Sequence, residues 1–436
     1  MQLNIKNFAK IKEANIIIDG ITVIAGENNT GKSTVGKILF SLFNSLSDID
    51  QKIYEERLVE IENTNRRIIQ NHLFSVYDHR TISSRTSLNI ARKINMQIRK
   101  ELDVNFPVSD EKVLDIVENA IKVWEKNTDG TEILSASDLI EEVSRDVIEI
   151  LNLSEETIVL EIISRYFNNV FHSQIKSLID DKDMEATLTL EIKGKEEKLF
   201  FANNYCKALE SGINITHKAI YIENPFIVDE LSEYNDLNPM NELLKKLLIS
   251  KPSDAVFDGI IEVIRTKEKL NDIYKALQNV VDGEIVTNQK EEFYLKSNNF
   301  SEPISLCNLS TGMKSFVILK MLLEKGCLGV KDVVILDEPE IHLHPQWQIA
   351  YAELIVLLQK HFDLSVVVTT HSPYFVDAIN LFSCKYGSDS KVNYYLSSNN
   401  DNGVKMDCVT NNINLIYEKM ASPIQMLDTL RYELNN

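Results

Sequence analysis

Apolar and polar residues alternate from Met1 to Lys12, the period of a strand with one covered face, and the pattern predicts strands at Leu3–Phe8 and Asn15–Ile18. A third strand, Ile21–Ala25, runs into a glycine-bounded loop and then an apolar-periodic helix over Val35–Phe43. The spacing then becomes helical. Asp48–Gln70, Thr86–Leu102, Asp110–Glu125 and Asp138–Leu151 read as amphipathic helices, and Ser154–Phe171 continues in the same manner. Breaks fall at Pro107 and at Thr128-Asp129-Gly130-Thr131, and no heptad persists for three or four repeats, so a compact lobe is expected rather than a long coiled coil. Strands return at Thr187–Ile192 and Lys198–Ala202 around a Lys-Gly turn, then at Ala219–Ile222. Helices are predicted between about Asp236 and Val280, then a hairpin of Glu284–Thr287 with Glu292–Leu295. Val333–Leu336 and Leu364–Val368 are unbroken apolar runs, the mark of parallel strands covered on both faces. The end of the chain reads as a hairpin, Lys391–Leu396 with Val404–Val409, turning at Asp401-Asn402-Gly403. A helix follows over Asn414–Leu434, interrupted near Pro423. The predicted fold class is α/β.

Composition narrows the function. A chain of 436 residues, 44% of them apolar, has length for two or three domains. No apolar run is long enough to cross a bilayer, and nothing near Met1 resembles a signal peptide. Five scattered cysteines without Cys-x-x-Cys spacing fit neither a zinc knuckle nor a disulfide framework, and point to a reducing cytoplasm. A formal net charge of −19 repels nucleic acid over most of the surface, which weakens the case for DNA or RNA without removing it.

Four short stretches carry the chemistry. Gly26–Thr34 reads GENNTGKST between a strand and a helix, the context required of a Gly-x-x-x-x-Gly-Lys-Ser loop. Backbone N–H groups at a helix N-terminus form an anion nest, Lys32 reaches the β- and γ-phosphates, and Ser33 offers a hydroxyl to Mg²⁺. The candidate phosphate-binding residues are therefore Gly26, Asn28, Asn29, Thr30, Gly31, Lys32, Ser33 and Thr34. Downstream, the strand Val333–Leu336 ends in Asp337 and Glu338. Asp337 suits Mg²⁺, and Glu338 suits polarisation of the attacking water. His371, in TTHSP after the next strand, is placed to donate a hydrogen bond to a γ-phosphate. His342 and His344 alternate as metal ligands can, but with no cysteine or third histidine close by in sequence a loop role is favoured. The fourth stretch, LSTGMKSF at Leu309–Phe316, holds small residues before an apolar helix and no obvious catalytic group.

In this order, GENNTGKS, LSTGMK, VVILDEP and TTHSP resemble the Walker A, signature, Walker B and switch-histidine motifs of ABC-type ATPases. The soluble branch, with the structural-maintenance-of-chromosomes (SMC) proteins, RecF and the overcoming-lysogenization-defect (OLD) family, is the nearest in pattern. DEPEIHLHP is similar to the form used by OLD-like bacterial defence ATPases. The resemblance implies an ABC-type P-loop head with a mixed sheet, split between residues 1–45 and 301–382. A helical insertion over 46–182, a β-containing and helical return over 183–300, and a C-terminal hairpin and helix over 383–436 complete the expectation. It further implies ATP and Mg²⁺ as ligands, and a head-to-tail homodimer. In that dimer Ser310 and the N–H of Gly312 close over the γ-phosphate held by the partner; an ordinary helix cap at Ser310 needs the same geometry. The partner implied beyond a second copy is a separately encoded nuclease or toxin, in a cytoplasmic setting and without a membrane. A DNA-clamping role like that of RecF and SMC proteins is the alternative. OLD nucleases carry a TOPRIM domain after the ATPase; too little chain follows His371 for one, so this chain is expected not to cut nucleic acid itself. The motifs place no Q-loop glutamine; Gln70 is a candidate for it that stays outside the assigned site.

Overall fold

The computed structural model describes residues 1–435 apart from 77–79, 105–106, 128–135, 179–184, 234–236, 251–269, 290–291 and 401–402. The expected breaks at 128–131 and 401–402, and much of the helical stretch between 236 and 280, lie outside the described residues. Two compact units emerge, one formed by Met1–Ser47 with Ile163–Asn436 and the other by Asp48–Ile162.

The first unit is built on an eleven-stranded mixed sheet. Its strands are β1 (Gln2–Phe8), β2 (Ile11–Ile17), β3 (Ile21–Gly26), β4 (Ala186–Ile192), β5 (Lys195–Ala202), β6 (Tyr205–Glu210), β7 (Ala219–Ile222), β11 (Val333–Asp337), β12 (Ser365–Thr370), β13 (Val392–Asn400) and β14 (Gly403–Cys408). The order across the sheet is β6-β5-β4-β1-β2-β14-β13-β3-β12-β11-β7. A small antiparallel sheet of β8 (Glu284–Thr287), β9 (Phe293–Lys296) and β10 (Ile304–Ser305) stands apart from it. One end of the large sheet is antiparallel, from β6 to β2. At the other end β13, β3, β12, β11 and β7 run parallel. Residues of β3, β7 and β11 are buried without alternation, as continuous apolar runs demand when both faces are covered.

Of the strands expected in the 183–300 return to the head, β4, β5 and β7 are laid into the large sheet, with β4 paired to β1 from Gln2↔Glu191 to Lys6↔Thr187, while β8 and β9 belong to the small one. β6 was not anticipated: it is an edge strand in which Cys206 alone is buried, so it carries no period-2 apolar signal. The turn at Ala9–Lys10, with Ala9 at φ 48°, starts β2 four residues earlier than its apolar pattern marks. The last helix runs unbroken from Asn414 to Asn435. Pro423 was expected to interrupt it, but a proline removes one intrahelical bond and need not end a helix.

The second unit is a helical lobe of α2 (Ile49–Val76), α3 (Arg80–Val104), α4 (Asp110–Asn127) and α5 (Ala136–Asn152) around one apolar core that includes Ile61, Ile69, Ile94, Ile98, Val117 and Val143. Arg57 is buried there and donates to the carbonyls of Leu151 and Leu153. Several of its basic residues meet acids, as in Arg92 with Glu62 at 3.4 Å and Arg99 with Glu55 at 2.9 Å.

Helix α1 (Lys32–Leu46) lies tightly against the parallel part of the sheet. A Cβ placed on Gly36 would sit 2.7 Å from Ile335 Cγ2 and 3.1 Å from Tyr221 Cε2. Gly36→Ala thus sets a helix-propensity gain of about 1 kcal/mol against an overpacking cost of about 1–3 kcal/mol. Sterics should win, because Ile335 and Tyr221 are themselves fully packed. We expect a lower urea midpoint for Gly36→Ala; an unchanged or higher midpoint would show that the helix has room to move.

Candidate nucleotide site

The register of three strands assembles the site. β12 pairs with β3 so that Thr370 faces Ala25, and with β11 so that Thr369 faces Asp337. The segments that follow all three strands therefore leave the sheet on one edge, the carboxyl edge at which open α/β sheets bind ligands.

The loop after β3 is held open by its backbone. Any side chain on Gly26 would run into the carbonyl of Ser397 on β13, and Asn29 and Gly31 take left-handed φ values of 64° and 74°. Thr30 is buried and donates to the Glu27 carbonyl at 2.8 Å; Asn28 and Asn29 are exposed, and Lys10 donates to Asn29 Oδ1 at 2.6 Å. Gly31 caps α1 without a side chain; Thr34 N–H donates to the Gly31 carbonyl at 3.2 Å, while the N–H groups of Lys32 and Ser33 stay open to an anion. Lys32 is only 3% exposed and its Nζ bridges the carbonyls of Gly26 (3.0 Å) and Glu27 (2.8 Å). That ammonium also lies 3.4 Å from Glu338 Oε1.

Asp337 is the hub. It is buried, accepts from Ser33 Oγ at 3.0 Å and from Tyr221 OH at 2.5 Å, and also accepts from the Thr369 hydroxyl. Those partners fix its orientation and leave the Ser33–Asp337 pair facing the loop. Among the described residues no group of three or more His, Cys, Asp or Glu stands ready to hold a metal alone. Ser33 and Asp337 would thus hold Mg²⁺ with phosphate oxygens and water completing its shell, the usual setting for that ion. The residues fit. When bound, Mg²⁺ would neutralise charge on the phosphate oxygens.

Glu338 departs from strand geometry at φ 50°, a strained value for a residue with a side chain. Its N–H is held by both oxygens of Thr369, at 3.1 and 3.0 Å, and the turn brings its carboxylate to the same edge as Asp337. His371 Nδ1 lies 3.7 Å from Glu338 Oε2. The interaction with His371, and after it the charge on Lys32, holds the Glu338 carboxyl below its ordinary range; burial acts in the opposite sense. The same contact raises His371 above its ordinary value. A partly buried, ionised carboxylate beside the phosphate loop is what polarisation of a water requires.

A cavity of about 350 Å³ opens here, lined by Asn29, Gly31, Lys32, Ser33, Thr34 and Glu338 from the motifs. Sequence reasoning missed the rest of its wall, which includes Lys10, Lys37, Phe171, His172, Gln174 and Leu178. Lys37 was open to prediction, being one helical turn beyond Ser33. The loop 172–178, after α6 (Glu155–Phe171), had no motif to mark it. Gln70 belongs to the helical lobe and does not line this cavity, whereas Gln174 does.

Ser310 and Gly312 do not line it either. Ser310 is exposed and caps the helix Thr311–Glu324, its Oγ accepting from Met313 N–H at 3.4 Å while its own proton stays available. Gly312 is buried: a Cβ there would lie 3.0 Å from the His342 carbonyl and from two ring carbons of Trp347. Its smallness therefore serves this chain's own packing, a reason the sequence did not disclose. Lys314 turns inward, where Asp229 accepts from it at 2.6 and 2.8 Å and the Cys307 carbonyl at 3.0 Å. His344 caps the helix Pro345–Phe362, and His342 packs edge-on against Phe226.

Strand order, cradle and acidic edge together define a P-loop ATPase head of the ABC type. A family model described as an AAA ATPase domain matches residues 1–376, and the chain belongs to that family. Among curated proteins it is similar to Septu protein PtuA of Bacillus thuringiensis, 33% identical over 144 residues that cover 24% of this chain and 35% of that one. Retron Ec83 probable ATPase of Escherichia coli is 30% identical over 184 residues, 35% of this chain and 33% of that one. Endonuclease GajA of Bacillus cereus is 22% identical over 426 residues, 89% of this chain and 56% of that one. The chain thus spans less than two thirds of the length of each of these relatives. Among solved structures, the SMC head domain from Thermotoga maritima matches 94% of this chain and 98% of its own, at 11% identity and a TM-score of 0.38. No helix among the described residues is long and apolar enough to cross a membrane.

The His371–Glu338 pair makes stability depend on pH in a definite window. A raised histidine contributes fully below its ordinary 6.5, and that contribution is lost as pH climbs through its raised value. A depressed carboxyl contributes above its ordinary 4.5 and loses that contribution as pH falls through its lowered value. The gap in melting temperature between wild type and His371→Gln should therefore be widest at about pH 5–6 and shrink above neutrality. A gap that grew with pH would contradict the pairing.

Proposed function

We propose that two copies of this chain close head to tail around two ATP molecules, and that hydrolysis reopens them and moves the helical lobes. Lys32, the α1 N-terminus and Ser33 hold the phosphates and the metal side of ATP. Asp337 orients the metal, Glu338 takes the proton of the attacking water, and His371 contacts the γ-phosphate. The observation that carries the dimer is the placement of the signature: Ser310 is exposed, its hydroxyl donates to no group among the described residues, and it has no part in this chain's own cavity. A second chain's nucleotide would supply the anion it lacks.

In this reading the protein is a sensor or assembly platform for a separately encoded effector, a nuclease or toxin, in bacterial anti-phage defence. Sequence similarity to Septu protein PtuA and to a retron ATPase supports that setting. The rival, a DNA-clamping ATPase, draws less support, since Arg92 and Arg99 of the lobe are already paired with acids and the net charge is −19. Binding to duplex DNA that weakens steeply with salt would favour the rival.

Ser310→Asp keeps a good helix cap and places a carboxylate where the partner's γ-phosphate must come. At an effective dielectric near 20, like charges about 4 Å apart repel by roughly 4 kcal/mol, enough to block closure. Binding of ATP to the single chain should survive, because Gly26–Ser33 is untouched. Lys32→Ala damages the other half of the same composite site. Mixed dimers of the two variants collect both lesions in one site and leave the second whole, so ATPase activity should return on mixing and peak near equal amounts. Wild-type turnover by Ser310→Asp alone would rule the sandwich out.

A further inference from the structure

Glu340 is the second carboxylate after β11, and no role in the chemistry above needs it. It is nevertheless 3% exposed, an expensive place for an acid without partners. Its Oε1 accepts from the Thr370 hydroxyl at 2.5 Å and from the His371 N–H at 2.8 Å, and lies 3.6 Å from His371 Nδ1. Its Oε2 is buried and has no hydrogen-bond partner. The surrounding turn is braced separately: Gln348 donates to the carbonyls of Glu340 and Leu343 and accepts from the Ser372 hydroxyl at 2.7 Å. His371 therefore stands between two carboxylates at nearly equal distance, Glu338 at 3.7 Å and Glu340 at 3.6 Å.

That symmetry poses a problem for catalysis. A histidine that gives its Nδ1 proton to Glu338 occupies the oxygen that an attacking water needs. We propose that Glu340 is a positioning residue: its carboxylate takes the Nδ1–H of His371, which holds the ring by its far edge, presents Nε2 to the γ-phosphate and leaves Glu338 open to water. Oε1 is the oxygen nearest that proton, 3.6 Å from Nδ1. This inference rests on the reading of Glu338 and His371 given above.

Glu340→Gln tests it, because the amide oxygen still accepts from Thr370 and from the His371 N–H while the anionic acceptor is gone. Steady-state ATPase kinetics on the full chain should show kcat down roughly tenfold to a hundredfold, the range for losing an outer partner that orients a functional histidine, with KM unchanged. His371→Gln should slow turnover by itself, and Glu340→Gln added to it should cost nothing more. If His371→Gln turns over at the wild-type rate, the reading of His371 fails before Glu340 is at issue. If His371→Gln is slow but Glu340→Gln is as fast as wild type, or the two losses multiply, the role given to Glu340 is wrong. A fall in melting temperature with kcat intact would likewise reduce Glu340 to a structural group.

Discussion

β12 lies between β3 and β11, and its register with both is what brings the ends of three sequence-distant segments together. Slipping the β11–β12 pairing by one residue would take Asp337 away from Thr369, so the site depends on that register. Asp337, set opposite Thr369, then meets Ser33 from α1 and Tyr221 from β7 in one hydrogen-bonded cluster. Gly36 permits the close approach of α1 that this cluster needs. Burying a carboxylate is tolerable only when its oxygens are satisfied, and here three hydroxyls from three elements do so. The site and the sheet are thus one construction: the same contacts that secure the fold aim the acid.

The two acids that follow are treated differently. Glu338 is partly exposed, strained at φ 50°, and held below the ordinary carboxyl range by His371 and Lys32. Glu340 is buried, and burial pushes its carboxyl above that range while Thr370 and His371 pull the other way. Environments that push neighbouring carboxyls apart are how one loop divides separate tasks between like residues. His371, placed between them, is the group through which the loop after β12 communicates with the loop after β11.

Much of this was legible before any coordinates. The apolar runs at Ile21, Val333 and Leu364 announced the parallel strands, and GENNTGKST, the Asp-Glu pair and TTHSP announced what sits at their ends. What stayed hidden depended on neighbours in space. Tyr221 is one aromatic in a short strand, and only the pairing of β7 with β11 makes it a partner of Asp337. Gln174 and His172 follow α6 without any motif and reach the cavity through tertiary packing alone. Lys314 has no role assigned within LSTGMK, whereas its ammonium ties the signature helix to the 3₁₀ turn Pro225–Glu230 through Asp229. Gly312 read as a phosphate contact, yet Trp347 and the His342 carbonyl also crowd any side chain placed there.

The central claim is that this edge of the sheet hydrolyses ATP with Glu338 as the base, and ATP turnover by Glu338→Gln tests it most directly. The amide keeps the shape of the side chain and cannot take a proton, so turnover should fall by about 10²–10⁴ while ATP still binds. Binding measured by calorimetry alongside the rate separates a damaged cradle from a missing base. Loss of turnover with affinity retained is the predicted result. Turnover at the wild-type rate would contradict the account.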